Sequence, residues 1–124
     1  MKILVVDDER DIQALFEQRF RKEIRGNVME FFFAYSGEDA LQYLTRHDHE
    51  AVLILSDINM PGMSGLELLK RIKQQFASPP PVVMMITAYG DDENYRQAMS
   101  LGADDFLTKP LDFSILKEKL KIIT

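Results

Sequence analysis

Short apolar runs punctuate this chain, and each stops at polar residues. Ile3-Leu4-Val5-Val6 gives way to Asp7-Asp8, Val52-Leu53-Ile54-Leu55-Ser56 to Asp57, and Val82-Val83-Met84-Met85-Ile86 to Thr87. Runs of this length bounded by turn residues read as buried strands. Met29 to Ala34, with Phe31-Phe32-Phe33 inside it, reads as another strand, and Phe106-Leu107-Thr108 as a shorter one ending at Lys109-Pro110. The segments between have helical period. Ile12, Leu15, Phe16 and Phe20 predict one helix with a single apolar stripe, closed by Gly26-Asn27. Ser36-Gly37-Glu38-Asp39 opens a second helix carrying Ala40, Leu41 and Leu44. A third starts at Ser64 or Gly65 and presents Leu66, Leu69 and Ile72 on one face. Ser78-Pro79-Pro80-Pro81 then breaks the chain, since proline cannot continue a helix.

Asp91-Asp92-Glu93 opens helix four, where acids complement the positive helix end, and Leu101-Gly102 closes it with glycine as a left-handed cap. Asp112 or Ser114 caps helix five, whose Ile115, Leu116, Leu120 and Ile123 face the core. Strand–helix alternation of this kind predicts five βα units and a parallel sheet, with right-handed crossovers placing helices on both faces. The expected fold class is therefore α/β, doubly wound, as one domain over residues 1–124.

In an open α/β sheet, ligands bind at the carboxyl ends of the strands. Asp7, Asp8, Asp57, Thr87 and Lys109 all stand at such ends. Three carboxylates, a hydroxyl and an ammonium on one rim suit a phosphoryl group and a divalent cation.

Composition removes other chemistries. The chain has 124 residues, no cysteine and a net charge of −5, so disulfides and thiolate metal sites are out. That charge argues against direct nucleic-acid binding through the phosphate backbone. Only His47 and His49 offer imidazole, and they sit in a polar segment with no cluster around them. Charge follows the first apolar residues too early for a signal peptide, and no run has the ~20 residues a membrane span needs. A cytoplasmic protein without membrane insertion is the expectation. Arg19, Arg21, Lys22 and Arg25 share one helical stretch and read as a solvated face.

Val6-Asp7-Asp8-Glu9, then Asp57-Ile58-Asn59-Met60-Pro61-Gly62-Met63-Ser64-Gly65, Thr87-Ala88 and Gly102-Ala103-Asp104-Asp105-Phe106-Leu107-Thr108-Lys109-Pro110 follow in this order. With these motifs the chain resembles, over essentially its whole length, the receiver domain of two-component response regulators. The resemblance implies a flavodoxin-like (βα)5 fold with a sheet of order 2-1-3-4-5. That order sets strand one between strands two and three, so Asp7 and Asp8 neighbour Asp57, while strands four and five deliver Thr87 and Lys109.

The same resemblance implies a phosphorylation-dependent signalling switch rather than an enzyme with turnover. Asp57 accepts a phosphoryl group from the phosphohistidine of a sensor histidine kinase or phosphotransfer protein, and slow autodephosphorylation resets it. Mg2+ is the implied cofactor, with Asp8 and Asp57 as direct ligands, Asp7 acting largely through water, and the backbone carbonyl of Asn59 as a further ligand. Lys109 is to contact a phosphoryl oxygen, and its bond to Pro110 is expected to be cis. Thr87 moves inward and Phe106 turns into the vacated space, remodelling the face of helix four, strand five and helix five. That face would control an output domain or target protein, and some family members form homodimers through it. Tyrosine is frequent in the family at position 106; phenylalanine keeps the ring but lacks its hydroxyl. Tyr89 and Asn59 flank the pocket by resemblance.

Each motif has a plainer reading in isolation. Asp7-Asp8-Glu9 serves equally as a helix start, Asp57 as a turn residue, Thr87 as a cap and Lys109 as an exposed strand end. Their register across five βα units favours the joint reading. An aspartate-nucleophile phosphohydrolase is the enzymatic alternative. Such enzymes place the nucleophile after the first strand, with a second aspartate two positions on as general acid. Two positions beyond Asp57 stands Asn59, whose amide cannot protonate a leaving group. A passive receiver-like or flavin-binding module is the third class, since fold does not fix function. A flavin site would want a hydroxyl- and glycine-rich loop after strand one, where this chain has acids.

Overall fold

Side chains on successive strand residues point to opposite faces of a sheet, and here both faces are apolar. A computed structural model of the protein describes residues 1–47, 53–76, 81–88 and 90–123, with side chains to residue 121. Its strands are β1 (Lys2–Val6), β2 (Glu30–Ala34), β3 (Leu53–Asp57), β4 (Val82–Ala88) and β5 (Asp105–Lys109). They form one parallel sheet of order β2-β1-β3-β4-β5, the order the family resemblance implies. Ile3, Val5, Leu53, Leu55, Met84 and Ile86 enter one core, while Leu4, Val6, Ile54, Val83 and Met85 enter the other. Burial on both faces explains why these strands are continuous apolar runs.

The helices are α1 (Ile12–Arg19), α2 (Arg21–Arg25), α3 (Gly37–Arg46), α4 (Gly65–Gln75), α5 (Asp92–Ser100) and α6 (Phe113–Ile123). Helices α3, α4 and α5 cover one face with Ala40, Leu44, Leu68, Leu69, Ile72 and Ala98. Helices α1 and α6 cover the other with Phe16, Leu116 and Leu120. The single first helix expected from Ile12 to Phe20 and beyond is two. Phe20 leaves helical geometry at φ −111°, ψ 25°, and its ring stacks among Phe16, Phe31 and Phe113 at 4.9–5.9 Å. Helix four and helix five of the sequence reading are thus α5 and α6.

Two expected positions are corrected: Leu15 and Ile115 are 38% and 50% exposed. Leu66, half-buried, packs against the same core as the fully buried Leu69 and Ile72. At 100° per residue, Leu15 and Ile115 each lie one position off the buried rows Phe16–Phe20 and Leu116–Leu120. They fall on the flank of the stripe. Val52, Ser78 to Pro80, His49 and Tyr89 lie outside the described residues, as does the side chain of Ile123.

Capping follows the sequence closely. Ser36 accepts from Asp39 N–H, Ser64 from Glu67 N–H and Asp91 from Asn94 N–H. Asp112 caps α6, accepting from Ser114 N–H at 2.8 Å and Ile115 N–H at 3.3 Å. Gly102 adopts φ 97°, the left-handed geometry expected of it. No helix among the described residues is long and apolar enough to cross a membrane.

Candidate functional site

Strand register decides which side chains share the carboxyl edge. Val6 pairs with Ser56, so Asp7 and Asp57 come level one residue later, and Asp57 pairs in turn with Ile86. Thr87 follows Ile86 and pairs with Thr108, while Lys109 pairs with Ala88. Five polar side chains distant in sequence therefore stand at one rim. Asp7, Asp57 and Thr87 are buried there, and Asp8 is exposed.

Asp57 is held at both carboxylate oxygens. Oδ2 accepts a 2.8 Å hydrogen bond from Lys109 Nζ across 52 residues of chain, and Oδ1 accepts one of 3.3 Å from the Asn59 N–H. The Ser56 hydroxyl donates to the Asp57 carbonyl at 3.0 Å. Asp7 Oδ1 accepts from the Glu9 N–H at 3.0 Å. Carboxylate oxygens of Asp7, Asp8 and Asp57 all lie within 4.8 Å of one another.

Like charges crowd together at the rim. Burial holds the Asp7 carboxyl above the ordinary aspartate range; the Glu9 N–H opposes this and the Asp57 charge adds to it. Burial works to lower the Lys109 ammonium, but its hydrogen bond and attraction to Asp57 outweigh that. Asp7 and Glu9 add to the attraction, and Lys109 is held above the ordinary lysine range. One ammonium thus faces three acids.

The donor set fits a hard divalent ion. Mg2+ takes oxygen ligands at about 2.1 Å and keeps several waters, so one or two carboxylates suffice. Oxygens spread over 4.8 Å meet that requirement with small side-chain rotations or bridging water. Lys109 supplies a second positive group beside the same carboxylate.

Two roles were not legible in the residue types. The Asn59 N–H, rather than its side chain, orients Asp57. Gly65 is required by close approach: a Cβ there would overlap the Asp57 carbonyl oxygen and come within 2.7 Å of Ile58 Cα. The Met-Ser-Gly triplet marked a helix start but gave no sign of that contact. Thr87 Oγ1 is buried and makes no hydrogen bond among the described residues. Phe106 is half-buried, its ring edge-on to Tyr95 at 4.7 Å. The Lys109–Pro110 bond is cis, as expected.

A sequence model of the response regulator receiver domain matches residues 3–121. Among solved structures, a response regulator receiver domain protein of Clostridium thermocellum is 29% identical, with TM-score 0.84 and coverage of 98% of this chain and 92% of that one. Chemotaxis protein CheY4 of Vibrio cholerae is 26% identical, with TM-score 0.83 and coverage of 99% and 98%. Response regulator TrrA of Thermotoga maritima, solved in complex with Mg2+-BeF, is 32% identical, with TM-score 0.78 and coverage of 99% and 98%. Sequence match, strand order and the acid–lysine rim agree: this chain belongs to the response regulator receiver domain family.

Proposed function

We propose that the protein is a phosphorylation-dependent switch in which Asp57 accepts a phosphoryl group from a phosphohistidine of a histidine kinase or phosphotransfer protein. The observation that carries this reading is Asp57 itself: 3% exposed, held by Lys109 at 2.8 Å and flanked by the carboxylates of Asp7 and Asp8. In the proposed step a carboxylate oxygen of Asp57 bonds to phosphorus as the phosphorus–nitrogen bond breaks, and the leaving imidazole takes a proton. Asp7, Asp8, Asp57 and the Asn59 carbonyl would hold Mg2+. When bound there, the ion supplies charge neutralisation for anions that repel by about 4 kcal/mol at ~4 Å and an effective dielectric near 20.

Lys109 is suited to follow the charge, moving its ammonium from the free carboxylate to a phosphoryl oxygen. Thr87 is suited to read the modification, because its buried hydroxyl lacks an acceptor until a phosphoryl oxygen arrives. A modification shifts an equilibrium only through its differential interaction with two states, and this hydroxyl provides one. Inward movement of Thr87 would free space for Phe106 and remodel the α5–β5–α6 face, passing the signal to an output domain, a target or a second copy. Water attack on the acyl phosphate, slow because the Asn59 amide cannot act as a general base on the water, would release the Asp57 carboxylate and reset the switch.

Acetyl phosphate with Mg2+ should add one phosphoryl group by intact-mass spectrometry, and Asp57→Asn should abolish the adduct. Labelling that persists in Asp57→Asn would refute the assignment.

A further inference from the structure

We infer that the groove between α1–α2 and α6 docks a short acidic segment of a partner protein. It lies on the outer side of the α1/α6 layer and uses no residue of the Asp57 rim, so it goes beyond the phosphoacceptor reading. Two adjoining depressions of about 360 and 410 Å3 share Gln18, Arg19 and Lys117. One is completed by Phe113 and Ser114, the other by Arg21, Lys22 and Glu23. Four cations therefore face a single carboxylate in a chain whose net charge is −5.

Three of those cations are available. Arg19, Arg21 and Lys22 are exposed and form no ion pair among the described residues. Lys117 is the exception, ion-paired with Glu23 at 3.4 Å, and the other Glu23 oxygen is buried without a partner among the described residues. Two are also fixed in place: the Arg19 guanidinium lies 5.6 Å over the Phe113 ring and Lys117 Nζ 5.2 Å over the Phe20 ring. Side chains held against aromatic faces lose less freedom when a ligand arrives.

Shape and charge select among anions. A net charge of −5 disfavours an extended phosphate backbone over a short anionic segment that meets only these four cations. Arg19, Arg21 and Lys22 are exposed around an open depression between the helices rather than spread over a flat face. A short peptide strand or helix enters such a depression, and its carboxylates accept the guanidinium forks of Arg19 and Arg21.

The test is fluorescence anisotropy of the full chain with a short fluorescein-labelled peptide of repeating Glu-Ser-Asp-Ala. Saturable binding that weakens with salt is expected. Arg19→Glu/Lys22→Glu should weaken it about tenfold, as two rim contacts change from attraction to repulsion. Lys70→Glu/Arg96→Glu makes the same change in total charge elsewhere and should leave affinity unchanged, as should Asp57→Asn. Circular dichroism verifies that the variants fold. Three results would overturn the inference: no saturable binding, equal loss in both charge-reversal pairs, or tighter binding of single-stranded DNA or anionic phosphatidylglycerol vesicles than of peptide. Because Asp57→Asn abolishes only the phosphoryl adduct, failure here and failure of the phosphoacceptor reading are separately visible.

Discussion

Asp7 carries a charge that the fold disfavours and the proposed function needs. Its carboxyl is buried beside Asp57, which raises its pKa, so the folded chain binds this proton more tightly than the unfolded one. Its contribution therefore favours folding at low pH and is lost as pH rises through the raised value. Asp7→Asn should stabilise the metal-free protein by about 1 kcal/mol at neutral pH, with the gain shrinking in the acidic range. Urea titrations in chelator at both pH values check this, and a destabilised variant at neutrality would contradict it. Mg2+ affinity should fall in the same variant. Lys109 has the opposite sign: its raised pKa gives stability present below the ordinary lysine pKa and lost as pH rises through the folded one. Lys109→Ala should cost about 1 kcal/mol, modest because the side chain is 38% exposed. It should leave Mg2+ binding largely intact while uncoupling Asp57 modification from the structural response. Tyrosine and amide chemical shifts around Phe106, compared before and after beryllofluoride, report that coupling. At this scale the placement of the rim residues was legible, since Asp57, Thr87 and Lys109 each end an apolar run. The exposure of Leu15 and Ile115 was not, because spacing marks a stripe but not its width.

The turn from β3 into α4 shows how an element is set by both local and distant constraints. Ser64 caps α4 through the Glu67 N–H at 3.2 Å, a signal readable from residue type alone. Gly65, its neighbour, is dictated by the return of the chain over Asp57 and Ile58. Ser64→Ala should cost about 1 kcal/mol of stability and leave Asp57 phosphorylation unchanged. Gly65→Ala should cost about 3 kcal/mol or more, because backbone rather than a flexible side chain must give way. It should also slow phosphorylation by displacing Asp57. Chemical denaturation with acetyl phosphate labelling separates the two, and equal labelling in both variants would count against the positional role of Gly65. The α1–α2 break belongs here as well. Helical period ran on through Phe20, and the demand of the Phe16–Phe31–Phe113 cluster for its ring won.

One sheet joins two cores, so neither half of the molecule has an independent interior. Leu69 anchors α4 in one core and Leu116 anchors α6 in the other, both fully buried. Truncation of either to alanine should cost about 2–5 kcal/mol. Each variant should still unfold in one transition, with circular dichroism and tyrosine fluorescence superimposed. Separate transitions would show that the two layers are uncoupled. At this scale the sequence by itself determined the five strands, the capping residues of α3, α4, α5 and α6, and the resemblance that set the strand order. These are local or pattern properties, carried by hydrophobic period and by the conformational preferences of serine, aspartate, glycine and proline. Only the tertiary structure decided the distances: the 2.8 Å contact of Lys109 with Asp57, the orphaned Thr87 hydroxyl, and the meeting of α1, α2 and α6 cations in one groove. Such contacts join segments far apart in the chain, and their geometry follows from strand register and helix docking, which no single segment encodes.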